Sequence, residues 1–108
     1  MPVRFRPSVP NMKYIIDIDN TICYTFTGDY PNSKPIGYNI DKINRLYKEG
    51  HHITYWTARG SNSGIDWAEL TKTQLDTWGC LYHELKLGKP VYDVWIDDKA
   101  INARDYFT

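Results

Sequence analysis

Apolar residues occur along the chain as short continuous runs separated by longer segments with helical periodicity. Residues 13–17 begin with such a run and end in acids, which is typical of a parallel strand buried on both faces. Residues 52–56 are rich in β-branched and aromatic side chains and predict a second strand. A short strand is predicted near residues 81–85. A fourth is predicted at residues 92–96, where the run again ends in acids.

Two segments between these runs predict helices. Over residues 38–49 apolar side chains recur at helical spacing, and Gly50 follows where a left-handed C-terminal cap belongs. Residues 66–78 predict a second helix, because Asp66 followed three positions later by Glu69 resembles a capping box. The core stripe expected on this second helix is Trp67, Leu70, Thr71, Gln74 or Leu75, and Trp78.

The alternation of strands and helices predicts an α/β fold. Strands that alternate with helices form βαβ units with right-handed crossovers. We therefore expect a three-layer sandwich with a mainly parallel, Rossmann-like sheet in residues 13–108. Residues 25–35 are rich in turn-forming side chains and predict an exposed loop or a loose hairpin. Residues 1–12, with three prolines, predict an extended N-terminal arm.

Composition narrows the classes of function. A chain of 108 residues is long enough for one core, so we expect one domain. Thirteen basic and thirteen acidic residues cancel, which argues against binding to nucleic acid or to an anionic membrane surface. No apolar run reaches the roughly 20 residues of a membrane helix. Two cysteines make no disulfide framework; one disulfide stays open, but free thiols in a reducing cytoplasm are favoured.

Acidic residues follow two of the predicted strands. Asp17 and Asp19 end the first strand, and Asp97 and Asp98 end the last. Ligand sites in open α/β sheets lie beyond the carboxyl ends of the strands, so these carboxylates would converge if the strands are neighbours. A divalent cation would remove their mutual repulsion, and a site made only of oxygen ligands suits Mg²⁺.

With these residues in place, the sequence resembles phosphatases of the haloacid dehalogenase superfamily. Four motifs of that family occur in order, each in its predicted structural context, and together they are far more specific than the first one alone. The motifs are Asp17-Ile18-Asp19-Asn20-Thr21, Tyr55-Trp56-Thr57-Ala58-Arg59, Gly88-Lys89-Pro90 and Val94-Trp95-Ile96-Asp97-Asp98.

The resemblance implies a catalytic role for five residues. Asp17 would attack phosphorus and form an aspartyl phosphate. Asp19 would protonate the leaving alkoxide and then deprotonate the water that releases phosphate. The Thr57 hydroxyl, the main chain near Ala58 and the Lys89 ammonium group would hold the phosphoryl oxygens.

The resemblance also implies a Mg²⁺ cofactor. Its ligands would be the Asp17 carboxylate, the main-chain carbonyl of Asp19 and Asp97. Asp98 would support the metal ion from behind its direct ligands or through a bound water, although it could equally cap the helix that follows.

Several residues keep a second interpretation. Thr57 could be a hydroxyl that caps the turn after its strand. Arg59 could grip a substrate anion or pair with a surface acid. Lys86 competes with Lys89 for the phosphate, and Lys89 fits the family pattern better. Tyr30 could contact substrate or belong to a packed loop.

The resemblance is strongest to small members without a cap domain that are associated with bacterial or phage surface-sugar biosynthesis. The segments between the motifs leave no room for a cap, so an open site is expected. The implied substrate is a sugar phosphate or a similar small metabolite. A phosphatase for nucleic acid ends or phosphoproteins, and a non-catalytic metal-binding domain, remain alternatives. Specificity for a small molecule would be helped by a homo-oligomer that covers the site with the 25–35 loop or the N-terminal arm.

Overall fold

The structure, a computed structural model that describes residues 11–108, alternates strands with helices as expected for an α/β protein. The elements are β1 (Lys13–Ile16), β2 (Cys23–Tyr24), a 3₁₀ turn (Tyr30–Asn32), β3 (Lys34–Pro35), α1 (Gly37–Lys48), β4 (His52–Trp56), α2 (Ala68–Thr77), β5 (Glu84–Lys86) and α3 (Ala103–Tyr106).

A parallel sheet of three strands organises the fold in the order β1-β4-β5. β1 pairs with β4 from Lys13 opposite His52 onward, and β5 pairs along the other edge of β4. Ile53 and Tyr55 of the central strand are fully buried. Because the strands are parallel, the residues that follow β1 and β4 emerge at the same edge of the sheet.

The two long helices, α1 and α2, lie where the sequence predicts helices. α1 buries Ile40 and Ile43, and Gly50 follows it with the expected positive φ of 99°. Before α2, the Asp66 carboxylate accepts a hydrogen bond from the Ala68 main-chain N–H at 2.9 Å. The core consists of Ile16, Ile18, Ile22, Cys23, Ile40, Ile43, Ile53, Tyr55, Leu75 and Cys80, and both cysteines are free.

A hairpin lies between β1 and α1. β2 and β3 pair antiparallel, with Cys23 opposite Pro35 and Tyr24 opposite Lys34. The connecting residues 25–33 carry the 3₁₀ turn, and within them Ser33 is buried. This confirms the loose hairpin predicted for residues 25–35.

The predicted strand at residues 92–96 is wrong. These residues form no ladder, and Val94 and Ile96 are 74% and 93% exposed. The Trp95 ring instead packs edge-on against Trp56 at the end of β4, with ring centroids 6.2 Å apart. Residues 92–96 thus contact the sheet through an aromatic ring and not through main-chain pairing.

Of the expected three-layer sandwich, residues 11–108 show a parallel sheet and helices, but not a complete layer on each face of the sheet. Ile15, in the middle of β1, is 68% exposed, so one face of this strand is not covered by residues 11–108. The reason lies in the chain after β5, where the only helix is the four-residue α3. α3 packs beside α1, where Lys42 donates a hydrogen bond to the Tyr106 carbonyl.

The third predicted strand is found in part, and the predicted N-terminal arm is described only at its end. The short strand expected near residues 81–85 is found slightly later, as β5. Most of the predicted N-terminal arm, residues 1–10, lies outside the described residues, while Asn11 and Met12 are exposed. Within the described part of the chain, every helix is too short or too polar to cross a membrane.

Candidate active site

Asp17 and Asp19 lie side by side just beyond the end of β1. Ile18 between them is fully buried, and because side chains of an extended segment alternate, both carboxylates face away from the core. They line one cavity of about 260 Å³, together with residues of the hairpin. Asn20 follows with a left-handed φ of 59°, which turns the chain sharply after the second acid. The two acids of the first motif therefore share one opening.

Asp17 is sheltered and is 38% exposed at its side chain. Burial raises the pKa of its carboxyl above the ordinary value of 3.8, and the nearby charge of Asp19 adds to this. The Lys89 ammonium group, with Nζ 3.6 Å from Asp17 Oδ1, and the main-chain N–H of Ile18 oppose the rise. The most reactive form of Asp17, the carboxylate, is thus stabilised by a single neighbouring cation.

Lys89 reaches Asp17 because the pairing of β4 with β5 continues beyond both strands. The Thr57 N–H donates to the Lys86 carbonyl at 2.9 Å, and the Lys89 N–H donates to the Thr57 carbonyl at 3.1 Å. Lys89, rather than Lys86, therefore lies against Asp17. A second cavity of about 290 Å³ opens on this side, and its lining is Asp17, Ala58, Lys89, Pro90, Val91 and Tyr92.

Asp19 is held by Arg59 in a bidentate ion pair. Arg59 Nε donates to Asp19 Oδ2 at 3.0 Å, and Nη2 donates to Oδ1 at 2.8 Å. The Arg59 side chain is completely buried, whereas that of Asp19 is 21% exposed. The Thr25 hydroxyl also donates to Oδ1, at 2.5 Å. Such charge-assisted, two-point contacts are among the strongest hydrogen bonds in proteins.

The remaining donors of Arg59 bond to α2 and to the hairpin. Nη1 donates to the Thr71 hydroxyl at 3.1 Å and to Gln74 Oε1 at 2.6 Å, and Nη2 approaches the Ser33 hydroxyl at 3.5 Å. A guanidinium group has five N–H donors, so each of them has an acceptor within the protein. Arg59 is thus paired with Asp19, an acid of the site, rather than with a surface acid. Arg59 also lines the first cavity, and its contact with a substrate anion stays a prediction.

Thr57 is buried, and its hydroxyl accepts a hydrogen bond from the Arg59 main-chain N–H at 3.1 Å. This is the turn-capping role that the sequence left open for it. It lines neither cavity, while Ala58 lines both. Gly60 completes the turn with a φ of +81°, and a Cβ there would collide with the Ile65 carbonyl oxygen. Ala58, rather than Thr57, therefore lines the two cavities, and a contact of the Thr57 hydroxyl with phosphate stays a prediction.

Tyr30 belongs both to a packed loop and to the cavity lining. Its ring lies over the Arg59 guanidinium at 4.8 Å and meets Trp67 edge-on at 5.2 Å. Its carbonyl accepts a hydrogen bond from Gln74 Nε2 at 2.7 Å. The interpretation as a packed loop is the one supported here, and contact of Tyr30 with a substrate stays a prediction.

Sequence analysis missed four polar residues that surround Asp19 and Arg59. They are Thr25 and Ser33 of the hairpin and Thr71 and Gln74 of α2. One signal was present, because Thr71 and Gln74 fall in the predicted core stripe of α2. A buried polar side chain needs a partner, so polar residues in a core stripe indicate a buried polar group facing the helix.

Asp97 and Asp98 lie apart from the two cavities on an exposed segment. Asp97 accepts hydrogen bonds from the Lys99 main-chain N–H at 2.9 Å and from the Trp95 indole at 3.3 Å. These two contacts, that of Lys99 first, lower its pKa below 3.8. Segment 92–96 is unpaired and leaves these acids outside both cavities, although the Trp95 ring centroid lies 5.9 Å from Lys89 Nζ, the cation that faces Asp17.

The described residues therefore do not assemble the expected Mg²⁺ ligand set. Within residues 11–108 no group of three or more His, Cys, Asp or Glu side chains could hold a metal ion. The two acids that do come together each face a cation already, Asp17 facing Lys89 and Asp19 facing Arg59. The magnesium expected from the resemblance stays a prediction that this arrangement does not fit.

The chain is similar to a protein from Vibrio cholerae whose crystal structure was solved as a structural-genomics target. The two are 28% identical, the match covers 87% of this chain and 85% of that one, and the TM-score is 0.78. No family model and no curated protein matches the sequence. The likeness supports the α/β fold with its parallel sheet and leaves family and activity to be argued from the residues.

Proposed function

We propose that this protein is a phosphomonoesterase that works through an aspartyl phosphate on Asp17. The observation that carries the proposal is the pairing of two acids at one cavity in different surroundings. Asp17 has a carboxylate oxygen 3.6 Å from a lysine ammonium, and Asp19, two residues later, is held at both oxygens by Arg59. A nucleophile beside an acid–base group is the arrangement that covalent phosphoryl transfer needs.

In the first step an Asp17 carboxylate oxygen forms a bond to phosphorus. The bond from phosphorus to the leaving oxygen breaks with its electron pair, and this oxygen takes the proton that Asp19 carries in its acid form at the start of the cycle. In the second step water attacks phosphorus and gives a proton to the Asp19 carboxylate. The bond between Asp17 and phosphorus then breaks, which restores both side chains and releases inorganic phosphate.

The phosphoryl oxygens would be held by groups around the two cavities. Lys89 supplies a positive charge beside the second cavity, and the main chain near Ala58, a residue that lines both cavities, would supply N–H donors. Fixed donors aimed at developing charge stabilise a phosphoryl-transfer transition state without reorganisation. Magnesium, expected from the resemblance, would be bound by the Asp17 carboxylate and the Asp19 carbonyl. The further expected ligand is Asp97, and the exposed segment that carries it would first have to move toward Asp17.

A small phosphorylated metabolite, such as a sugar phosphate, is the proposed substrate. The cavity beside Asp19 has a polar lining that includes Asn20, Thr25 and Thr27, which suits hydroxyl groups. Macromolecular phosphoesters are the second candidate, favoured by one observation. The two cavities, of about 260 and 290 Å³, lie at or below the usual 300–1,000 Å³ of small-molecule pockets.

The proposal is tested by phosphate release from 4-nitrophenyl phosphate and from a panel of sugar phosphates, phosphopeptides and 5′-phosphorylated oligonucleotides. We expect turnover by the parent protein and none by Asp17→Asn, because an amide cannot form the aspartyl phosphate. The matched control is Asp41→Asn, which changes an exposed acid of α1. Equal activity of the parent and Asp17→Asn would exclude the covalent mechanism.

Assembly separates the two substrate classes. A homo-oligomer that closes the open site is predicted for a small-molecule enzyme. Light scattering measures this directly, since a monomer has a mass of 12.7 kDa. If the protein is a monomer and turns over phosphopeptides or oligonucleotides faster than sugar phosphates, its substrate is a macromolecule rather than a sugar phosphate.

A further inference from the structure

We propose that Arg59 is a positioning residue that fixes the Asp19 carboxylate and leaves Oδ2 as the oxygen that exchanges the proton. This inference rests on the proposed phosphatase function and deepens it. It assigns to Arg59 an action through Asp19, whereas the sequence left contact with a substrate anion and pairing with a surface acid equally open.

The hydrogen bonds of Asp19 distinguish its two oxygens. Oδ1 accepts from Arg59 Nη2 and from the Thr25 hydroxyl, which occupies both of its lone pairs, and the Cys23 thiol approaches the same oxygen at 3.7 Å. Among residues 11–108, Oδ2 accepts only from Arg59 Nε. One lone pair of Oδ2 is therefore left for a proton that moves to or from a reacting group, and Asp19 lines the cavity where such a group would lie.

The guanidinium group cannot turn without losing several bonds at once. Its side chain is fully buried, and all five of its N–H donors have acceptors on three segments of the chain. The side-chain amide nitrogen of Gln74, Nε2, donates to the Tyr30 carbonyl, and this bond connects α2 to the hairpin. The direction of the Asp19 carboxylate is thus set by α2 and the hairpin, both outside the first motif.

A lysine cannot reproduce this geometry. An ammonium group is a point charge with rotatable donors, whereas the planar fork of arginine meets both carboxylate oxygens at once. Arg59→Lys would keep the positive charge and lose the two-point contact. Since a misplacement of about 1 Å can lower a rate about 10²-fold, an acid–base group that is free to rotate should work poorly.

The test compares two leaving groups. Protonation matters for an alkyl phosphate such as a sugar phosphate and little for 4-nitrophenyl phosphate, whose leaving group is already stable. Asp19→Asn should lower kcat on the alkyl phosphate by about 10²–10⁴-fold. We expect Arg59→Lys to lower it by about 10²-fold and to spare 4-nitrophenyl phosphate. Combining it with Asp19→Asn should add little, because both changes remove the same function.

The result that overturns the inference is an equal loss on both substrates, or losses that multiply in the double variant, since either would show a merely structural role. Arg104→Lys, at an 81% exposed arginine, is the matched control. Failure of the proposed function has a different signature, because the parent protein would then hydrolyse neither substrate or Asp17→Asn would stay active. That outcome overturns both proposals.

Arg59 is buried, so a second variant guards against loss of folding. Thr71→Val keeps the shape of the side chain and removes one acceptor of Arg59 Nη1. We expect a smaller loss of kcat than in Arg59→Lys, and again a larger loss on the alkyl phosphate than on 4-nitrophenyl phosphate. Thr73→Val, on the exposed face of the same helix, is its control. If Thr71→Val folds and its kcat falls equally, or not at all, on the two substrates, the positioning role of Arg59 is excluded.

Discussion

The two acidic segments of the chain, Asp17-Ile18-Asp19 and Asp97-Asp98, have the same sequence signature and opposite surroundings. Each follows a short apolar run. The first lies beyond a strand paired with β4, and its carboxylates face buried or sheltered cations. The second lies on an exposed segment with contacts close in sequence. A strand end becomes a site only where neighbouring elements supply partners to its side chains.

The largest expected difference between the two segments is in stability. Asp19→Ala leaves the fully buried Arg59 without its counter-ion, and breaking a buried pair costs about 3–5 kcal/mol of unfolding free energy. We expect the lower end of this range, because Asp19 is 21% exposed. Asp97→Ala should leave the urea midpoint unchanged, since its partners are exposed. Equal midpoints for the two variants would contradict the role given to the Arg59 pair.

A smaller effect is expected on metal dependence, and it tests the second acidic segment, Asp97-Asp98. If Asp98 supports a magnesium site, Asp98→Asn should raise the Mg²⁺ concentration for half-maximal phosphatase activity about 10–100-fold. Its urea midpoint should not change. A Mg²⁺ titration of parent and variant measures this, with Asp93→Asn, at an exposed neighbour, as control. Unchanged titrations, or activity indifferent to a chelator, would show that the second acidic segment serves no metal.

The smallest expected effect concerns the pH dependence of Asp17. Only its carboxylate can attack phosphorus, so kcat/KM should rise with pH through its pKa. Burial raises that pKa and Lys89 opposes the rise. Lys89→Met should therefore move the acidic limb of the profile to higher pH, whereas Lys86→Met should not move it. A limb that stays in place, or moves to lower pH, would show that Lys89 does not act on Asp17.

Part of the fold could be read from the pattern of side chains. The run of residues 13–17, the β-branched run of residues 52–56 and the helix before Gly50 are local features, and each is found within a residue or two of its predicted bounds. Asp17 and Asp19 could be proposed in the same way, because their positions depend on where a strand ends, whereas Lys89 was favoured over Lys86 only through the resemblance. The resemblance to a phosphatase family supplied their roles, and these remain to be tested.

By itself, the sequence determined the elements and which acids follow them. The tertiary structure decided which acid has which partner. Arg59 and Gln74 are 15 residues apart and Asp19 and Arg59 are 40 apart, so no local pattern could link them. The same holds for residues 92–96, whose composition suits a strand. Pairing with another strand is a long-range choice that local composition does not determine, and in the structure this segment stays unpaired, with Trp95 edge-on against Trp56.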